Sequence, residues 1–353
     1  MINNITIIIF FLLSVAQLIN LALRKITSKT KANQAFLIFS FIILGTMSFF
    51  RGDFSTDYNT YKYMFERASN QSLETIFQNT EWGFYLLLKI LSLITDNFQV
   101  AIGIVGIITL LLYYVVIKKF SWDYYISVII FLVYDNYLIS YNLVRNILAV
   151  AICLYAIKYI AKNKIVPFCV LIILASTIHK SAIIFLPMYF ILKIDFKKKK
   201  NIMMALLIFV LVTLSFASRQ FLLIIQSLFG YEYNLTSYGT DGGSLGSFFK
   251  TALLFLFIII NIRLLDYRES KQRILINGCF FNLLLQFVSI NLFMVQRVGF
   301  YFSGCYIILL PFLVKNMNIK RKAVFYVGFF LITLFYCLLF RQEPYYFINH
   351  NIY

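Results

Sequence analysis

Of 353 residues, 61% are hydrophobic and 13% are charged, and the mean hydropathy is +0.83. A soluble domain keeps about a quarter of its residues charged to wet its surface, so a water-soluble globular fold is excluded. The net charge of +18 comes from Lys and Arg grouped in short clusters between apolar runs. That pattern argues against a nucleic-acid partner and for a membrane topology biased to one side.

Apolar runs able to cross, or nearly cross, about 30 Å of hydrocarbon fall near 5–23, 34–50, 98–117, 124–141, 143–160, 165–178, 181–192, 202–218, 249–265, 274–294, 298–314 and 323–340. They lack the period-2 alternation of a barrel, and backbone satisfaction in lipid then requires helices. The expected fold is all-α: a polytopic transmembrane helical bundle of about 12 spans. Residues 1–353 read as a single membrane domain, since no Gly/Ser/Pro-rich linker or 20–50-residue repeat divides them. Segment 5–23 lacks a basic n-region and an A-x-A site, so it reads as a retained first span. Segment 82–95 is short and interrupted by Lys89; a full crossing there would move Lys118 and Lys119 to the wrong side. It is expected to be the one re-entrant or interfacial helix. Segments 165–178 and 181–192 are also short and meet at Ile178-His179-Lys180-Ser181, a polar break expected at a shallow external pocket.

Orientation follows from the basic clusters. Arg24, Lys25, Lys29 and Lys31; Lys118 and Lys119; and Lys158, Lys162 and Lys164 fall in alternate connections, as do Lys193 and Lys197 to Lys200. Arg263, Arg268, Lys271 and Arg273, then Lys315, Lys320, Arg321 and Lys322, bring this side to 22 of the 32 basic residues. It reads as cytoplasmic, with loops near 24–33, 193–201, 266–273 and 315–322. Both termini are then external, as are the long loops at about 51–83 and 219–248. The five cysteines (Cys153, Cys169, Cys279, Cys305, Cys337) lie in apolar stretches without a CxxC, so neither a metal site nor a disulfide framework is expected.

Five arginines run against this bias: Arg51, Arg145, Arg219, Arg297 and Arg341, each near an external helix end. Snorkelling to lipid phosphates accounts for any one of them. Five together suggest a diphosphate-bearing lipid, because guanidinium groups grip phosphate oxygens bidentately. The first external loop carries Arg51, Asp57, Tyr58 and Tyr61, then Glu81-Trp82-Gly83-Phe84. Carboxylates and aromatic faces together suit a carbohydrate, although an ordinary solvated loop has the same composition. His179 is the one histidine beside an expected helix, and it is either a structural hydrogen-bonding residue or a proton acceptor. Asp135 is placed to pair with Arg145 across a short turn.

These marks resemble the EpsG family of Wzy-type polysaccharide polymerases. Arg51 with Asp57-Tyr58 and Tyr61, then Glu81-x-Gly-Phe, resembles the family's opening. Tyr141-Asn142-Leu143-Val144-Arg145-Asn146 through Ala149 looks like its N-x-x-R-Q-x-x-A segment, with Asn146 standing where Gln is expected. Ile178-His179-Lys180-Ser181-Ala182 with Leu186-Pro187, and Arg297-Val298-Gly299-Phe300-Tyr301-Phe302, resemble its two later elements. The set is ordered and covers about residues 35–315.

The resemblance implies a glycosyltransferase-type polymerase at the outer face of a bacterial cytoplasmic membrane. Its donor and acceptor are undecaprenyl-diphosphate-linked oligosaccharides, its setting is membrane lipid, and a chain-length regulator is an implied partner. No metal or other cofactor is required, because the lipid diphosphate is already an activated donor. By position Arg51, Arg145 and Arg297 are the expected diphosphate contacts. His179, Asp57 and Glu81 are unranked candidates for the catalytic base or for acceptor positioning, and Tyr58, Tyr61 and Tyr301 for the sugar path. The rival readings are a lipid-linked oligosaccharide flippase, an O-antigen ligase, or another external-face transferase such as a membrane acyltransferase.

Overall fold

The computed structural model describes residues 5–52, 57–134, 136–199, 245–290 and 292–340, and the elements among them are all helices. In chain order they are α1 (Ile5–Ile26), α2 (Lys29–Phe49), α3 (Tyr58–Asn70), α4 (Leu73–Phe77), α5 (Trp82–Ser92), α6 (Phe98–Phe120), α7 (Tyr124–Val133), α8 (Asn136–Ile139), α9 (Val144–Ala161) and α10 (Ile165–Ile178). A 3-10 helix (Lys180–Phe185) and α11 (Met188–Ile191) follow, then α12 (Leu245–Ile260), α13 (Ser270–Ser289), α14 (Phe293–Lys315) and α15 (Ile319–Phe340). The protein is a multi-pass all-α membrane protein. Six of its described helices, α1, α2, α6, α9, α14 and α15, are long and apolar enough to cross a bilayer unaided. Of the other expected crossings that are described, α13 has 20 residues but is less apolar and the rest are shorter or broken, so a count of about twelve is not established. Segment 202–218 and residues 219–244 of the second long loop lie outside the described residues.

Helices α9 and α14 form the centre. Nearly every residue of α9 from Val144 to Ile160 is buried, and the two helices pack on one another. Small residues set the close crossings, as expected where lipid gives helices no hydrophobic reason to associate. A β-carbon on Gly106 would lie 2.3 Å from Ser48 Oγ, so α6 meets α2 backbone to side chain there. Gly278 of α13 similarly receives Cys305 of α14. At the edge, α15 leaves Val324, Val327, Leu331 and Phe335 exposed, a lipid-facing stripe.

Three expectations change. The run 124–141 is not one span: α7 ends at Val133, and a single turn, α8, follows before the chain bends into α9. Hydropathy passes over the break, because Tyr134, Tyr137, Leu138, Ile139 and Tyr141 are interleaved with its polar residues. Tyr137 gives its hydroxyl to Leu44 O (2.6 Å), and Tyr141 gives its own to Tyr137 Oη (2.5 Å), tying the bend to α2. Similarly, 181–192 is not one continuous α-helix: a 3-10 helix is followed by one α-turn.

The segment expected as the first external loop, lastly, is folded. In α3 the residues Tyr61, Met64, Phe65 and Ala68 recur at helical spacing and are buried. Lys89 of α5 donates to Ser69 O at 2.7 Å, neutralising the carbonyl end of α3. With 11 residues, about 16 Å long, α5 is too short to cross the hydrocarbon.

The basic connections converge on one end of the bundle. Lys29 and Lys315 both approach the Trp122 ring, Lys119 and Lys158 approach Tyr155, and Lys271 approaches Phe120. The opposite end holds the candidate site.

Candidate functional site

At that opposite end the N-terminus of α5 meets the C-terminus of α10. The contact depends on Gly83: a β-carbon there would lie 2.2 Å from Thr177 Oγ1 and 2.8 Å from Thr177 Cβ. Only a residue without a side chain lets the two helices touch at this level. The approach places Glu81, the residue capping α5, against His179, the residue capping α10.

Both oxygens of the Glu81 carboxylate are engaged. Oε1 lies 2.7 Å from His179 Nδ1 and accepts the Lys180 backbone N–H at 3.0 Å. Oε2 forms an ion pair with Arg145 Nη1, from the first turn of α9. Glu81 and His179 are each only 5% exposed. A carboxylate so deeply buried is tolerable only with such partners.

Burial by itself would push the Glu81 carboxyl up. The His179 hydrogen bond, the Arg145 and His179 charges and the Lys180 N–H outweigh it and hold the group down at about 2. Burial drives His179 the other way, lowering its pKa. The nearby Arg145 and Arg297 charges add to that, and the Glu81 contacts offset it only in part. Near neutral pH the pair is therefore an ionised carboxylate beside a neutral imidazole. A carboxylate can only accept, so Nδ1 carries the proton and Nε2 holds the lone pair. The arrangement is an oriented base with cations at hand.

The other expected residues gather around this pair. The Arg145 guanidinium lies 5.8 Å from the centre of the Tyr61 ring, which is buried and edge-on to Phe84. Arg51, 3% exposed, stacks 5.2 Å from the Tyr141 ring. Gln99 joins this part together: its Nε2 donates to Arg51 O (2.7 Å) and its Oε1 accepts from the Tyr58 hydroxyl (2.9 Å). Asp57 lies near Tyr61, and its backbone N–H donates to Asn142 Oδ1 at 3.2 Å. On α14, the Tyr301 hydroxyl pairs with Ser181 Oγ at 3.0 Å, two residues beyond His179. Arg297, half-buried near the start of α14, is reached through its carbonyl by Asn146 Nδ2 at 3.5 Å. The amide that stands in place of the expected Gln thus couples α9 to α14.

Two expectations differ here. Arg145 forms an ion pair with Glu81, a pairing the sequence did not suggest; the expected pairing with Asp135 lies outside the described residues, as do Arg219 and Arg341. Sequence reasoning passed over Gln99 and the Gly83–Thr177 contact, and it met Asn142 and Ser181 only as members of motifs, without a role. Gln99 had a visible signal, a lone amide at the start of a long apolar run, and Asn142 and Ser181 had their places in the motifs; the Gly83–Thr177 contact had none. No cluster of three His, Cys, Asp or Glu side chains able to hold a metal ion occurs among the described residues.

No curated protein and no solved structure matches the chain. One family does, and its match runs over residues 34–350, from α2 through every residue of the cluster just described. The chain belongs to the EpsG family, whose members are Wzy-type polymerases, and is a membrane protein of polysaccharide-polymerase type.

Proposed function

We propose that this protein extends a polysaccharide at the outer face of the bacterial cytoplasmic membrane, transferring undecaprenyl-diphosphate-linked glycan onto a second lipid-linked repeat unit. The single observation that carries the reading is the buried Glu81 carboxylate shared by His179 and Arg145, because it supplies a base and a diphosphate-binding cation at one place. An acceptor sugar hydroxyl attacks the anomeric carbon of the donor glycan. The new glycosidic C–O bond forms as the C–O bond to the diphosphate breaks, and undecaprenyl diphosphate departs with the bonding electrons. His179 Nε2 takes the hydroxyl proton, and Glu81 orients the ring and stabilises the imidazolium that results.

Arg145, with Arg51 and Arg297, meets the charge that develops on the departing diphosphate. Tyr58, Tyr61 and Tyr301 line the sugar path. Asp57, beside Tyr61, serves acceptor positioning. On this reading both termini and the candidate site face outward, and the basic end faces the cytoplasm.

A deletion strain complemented with variants tests this. His179→Ala and Arg145→Ala are each expected to leave single repeat units on the acceptor, with normal amounts of protein in the membrane. Full-length polymer from either variant removes that residue from the mechanism. In the deletion strain itself, lipid-linked units accumulating inside the cell point to a flippase, and an acceptor without any glycan points to a ligase.

A further inference from the structure

At the basic end, α1, the start of α2, the α6–α7 connection, the end of α14 and α15 enclose a cavity of about 420 Å³. Its lining is graded. Arg24, Lys29, Lys315 and Lys322 surround its mouth, while Leu18, Leu21, Val314 and Phe330 line it toward the middle of the bundle. Leu18 and Leu21 are exposed on α1, so the cavity opens sideways toward lipid.

The charge inside is unbalanced. The one carboxylate among the lining residues, Asp123, is occupied by neutral donors: Oδ1 accepts the Ile126 N–H (3.1 Å) and Oδ2 the Tyr326 hydroxyl (2.5 Å). None of the four cations forms an ion pair with it. Lys315 and Lys29 instead lie 4.0 and 4.8 Å from the centre of one ring, that of Trp122. Arg24 gives one nitrogen to Asn33 Oδ1 (2.7 Å), while its Nε is buried with no hydrogen-bond partner. Four cations beside an apolar wall match a molecule with an anionic head and a hydrocarbon tail, delivered from the side.

We infer that this cavity is a binding site for an anionic phospholipid of the leaflet on the basic side, its phosphate held by Arg24, Lys29, Lys315 and Lys322 and a chain lying along Leu18, Leu21 and Phe330. Basic pockets between membrane helices bind such headgroups by charge and by continuity with the leaflet. The site lies at the end opposite Glu81 and His179 and stands whatever reaction occurs there.

Trp122 makes the test direct, since Trp82 is the chain's one other tryptophan. In a Trp82→Phe protein, the remaining indole reports the cavity alone. The protein is placed in phosphatidylcholine vesicles carrying either phosphatidylglycerol or phosphatidylcholine brominated near the carbonyl end of its chains. Brominated phosphatidylglycerol is expected to quench Trp122 at a mole fraction roughly tenfold lower, each cation contributing up to about fivefold. Lys315→Gln with Lys322→Gln is expected to abolish most of that preference, and inorganic phosphate to leave the quenching unchanged. If the double variant is lost in preparation, Lys29→Gln, on an exposed side chain, carries the same comparison. Equal quenching by the two lipids overturns the inference, as does a preference that survives the substitutions. Relief of quenching by inorganic phosphate overturns it too, in favour of a site for a free anion.

Discussion

The two ends of this bundle hold positive charge in opposite ways. At one end Arg145 and Arg51 are fixed, the first on a buried glutamate and the second against a tyrosine ring, and every oxygen of Glu81 is spoken for. At the other, lysines crowd around Trp122 with a single carboxylate nearby, and that one is occupied by neutral donors. The contrast follows from depth. A charge far from water must have its partner built into the fold, whereas a charge at the rim can use water or lipid. Basic residues at the rim therefore set orientation and surface affinity, and those at the opposite end hold particular atoms in place.

The strongest way to break this comparison is to remove the shared carboxylate. Glu81→Ala is expected to abolish polymer and to cost about 3–5 kcal/mol, since it strands buried partners. Thermal unfolding of the purified protein, beside a polymer assay, checks both. Gly83→Ala should come next, at about 1–3 kcal/mol, because its methyl group overlaps Thr177 and forces α5 away from α10. Thr177→Ala in the same chain should recover part of the loss.

Acid provides a graded version of the same test. The Glu81 carboxyl is depressed in the fold, so its stabilisation is present above the usual carboxylate range, near 4.5, and disappears as pH falls toward about 2. Apparent Tm should fall across that window in the native protein and much less in Glu81→Gln. His179 is also depressed, below 6.5, so its neutral basic form survives at neutral pH and is lost at lower pH. The acidic limb of polymerising activity should accordingly lie below 6.5, and a limb above that value speaks against His179 as the base.

Smaller effects sharpen the contrast. Lys89→Met removes a cap from α3 and should cost about 1 kcal/mol. At the basic end, Lys158→Gln, whose ammonium rests on the Tyr155 ring, should change stability by about 0.5 kcal/mol or less.

How much of this was legible from sequence depended on what each signal encodes. Hydropathy records depth, and α1, α2, α6, α9, α14 and α15 lie within a few residues of where their apolar runs place them. It says little of continuity, so the bend after Val133 was missed, whereas the break at His179 and Lys180 was marked by their polarity but not by the 3-10 geometry that follows. The helical spacing of Tyr61, Met64, Phe65 and Ala68 was in plain view, but a polar segment outside the membrane is easily taken for a loop.

The site was legible as a set of residue types on one side. Its pairing was not, because depth and side leave rotation about each helix axis open. Nothing along the chain says that the glutamate two residues before Gly83 belongs to His179 and Arg145 and not to another cation at the same level.

That pairing has a consequence for biosynthesis. Glu81 and His179 are 98 residues apart in the chain, with five helices, α6 to α10, between them. At about 5–20 residues per second, roughly five to twenty seconds separate the emergence of the carboxylate from that of its imidazole. Gly83 has no α10 to lean on until then, and of its two side-chain partners Glu81 can have met only Arg145. The candidate catalytic centre is thus closed late, by the return of a distant helix, and a ribosome that stalls before residue 179 leaves a chain whose early helices are inserted and whose chemistry is still unassembled.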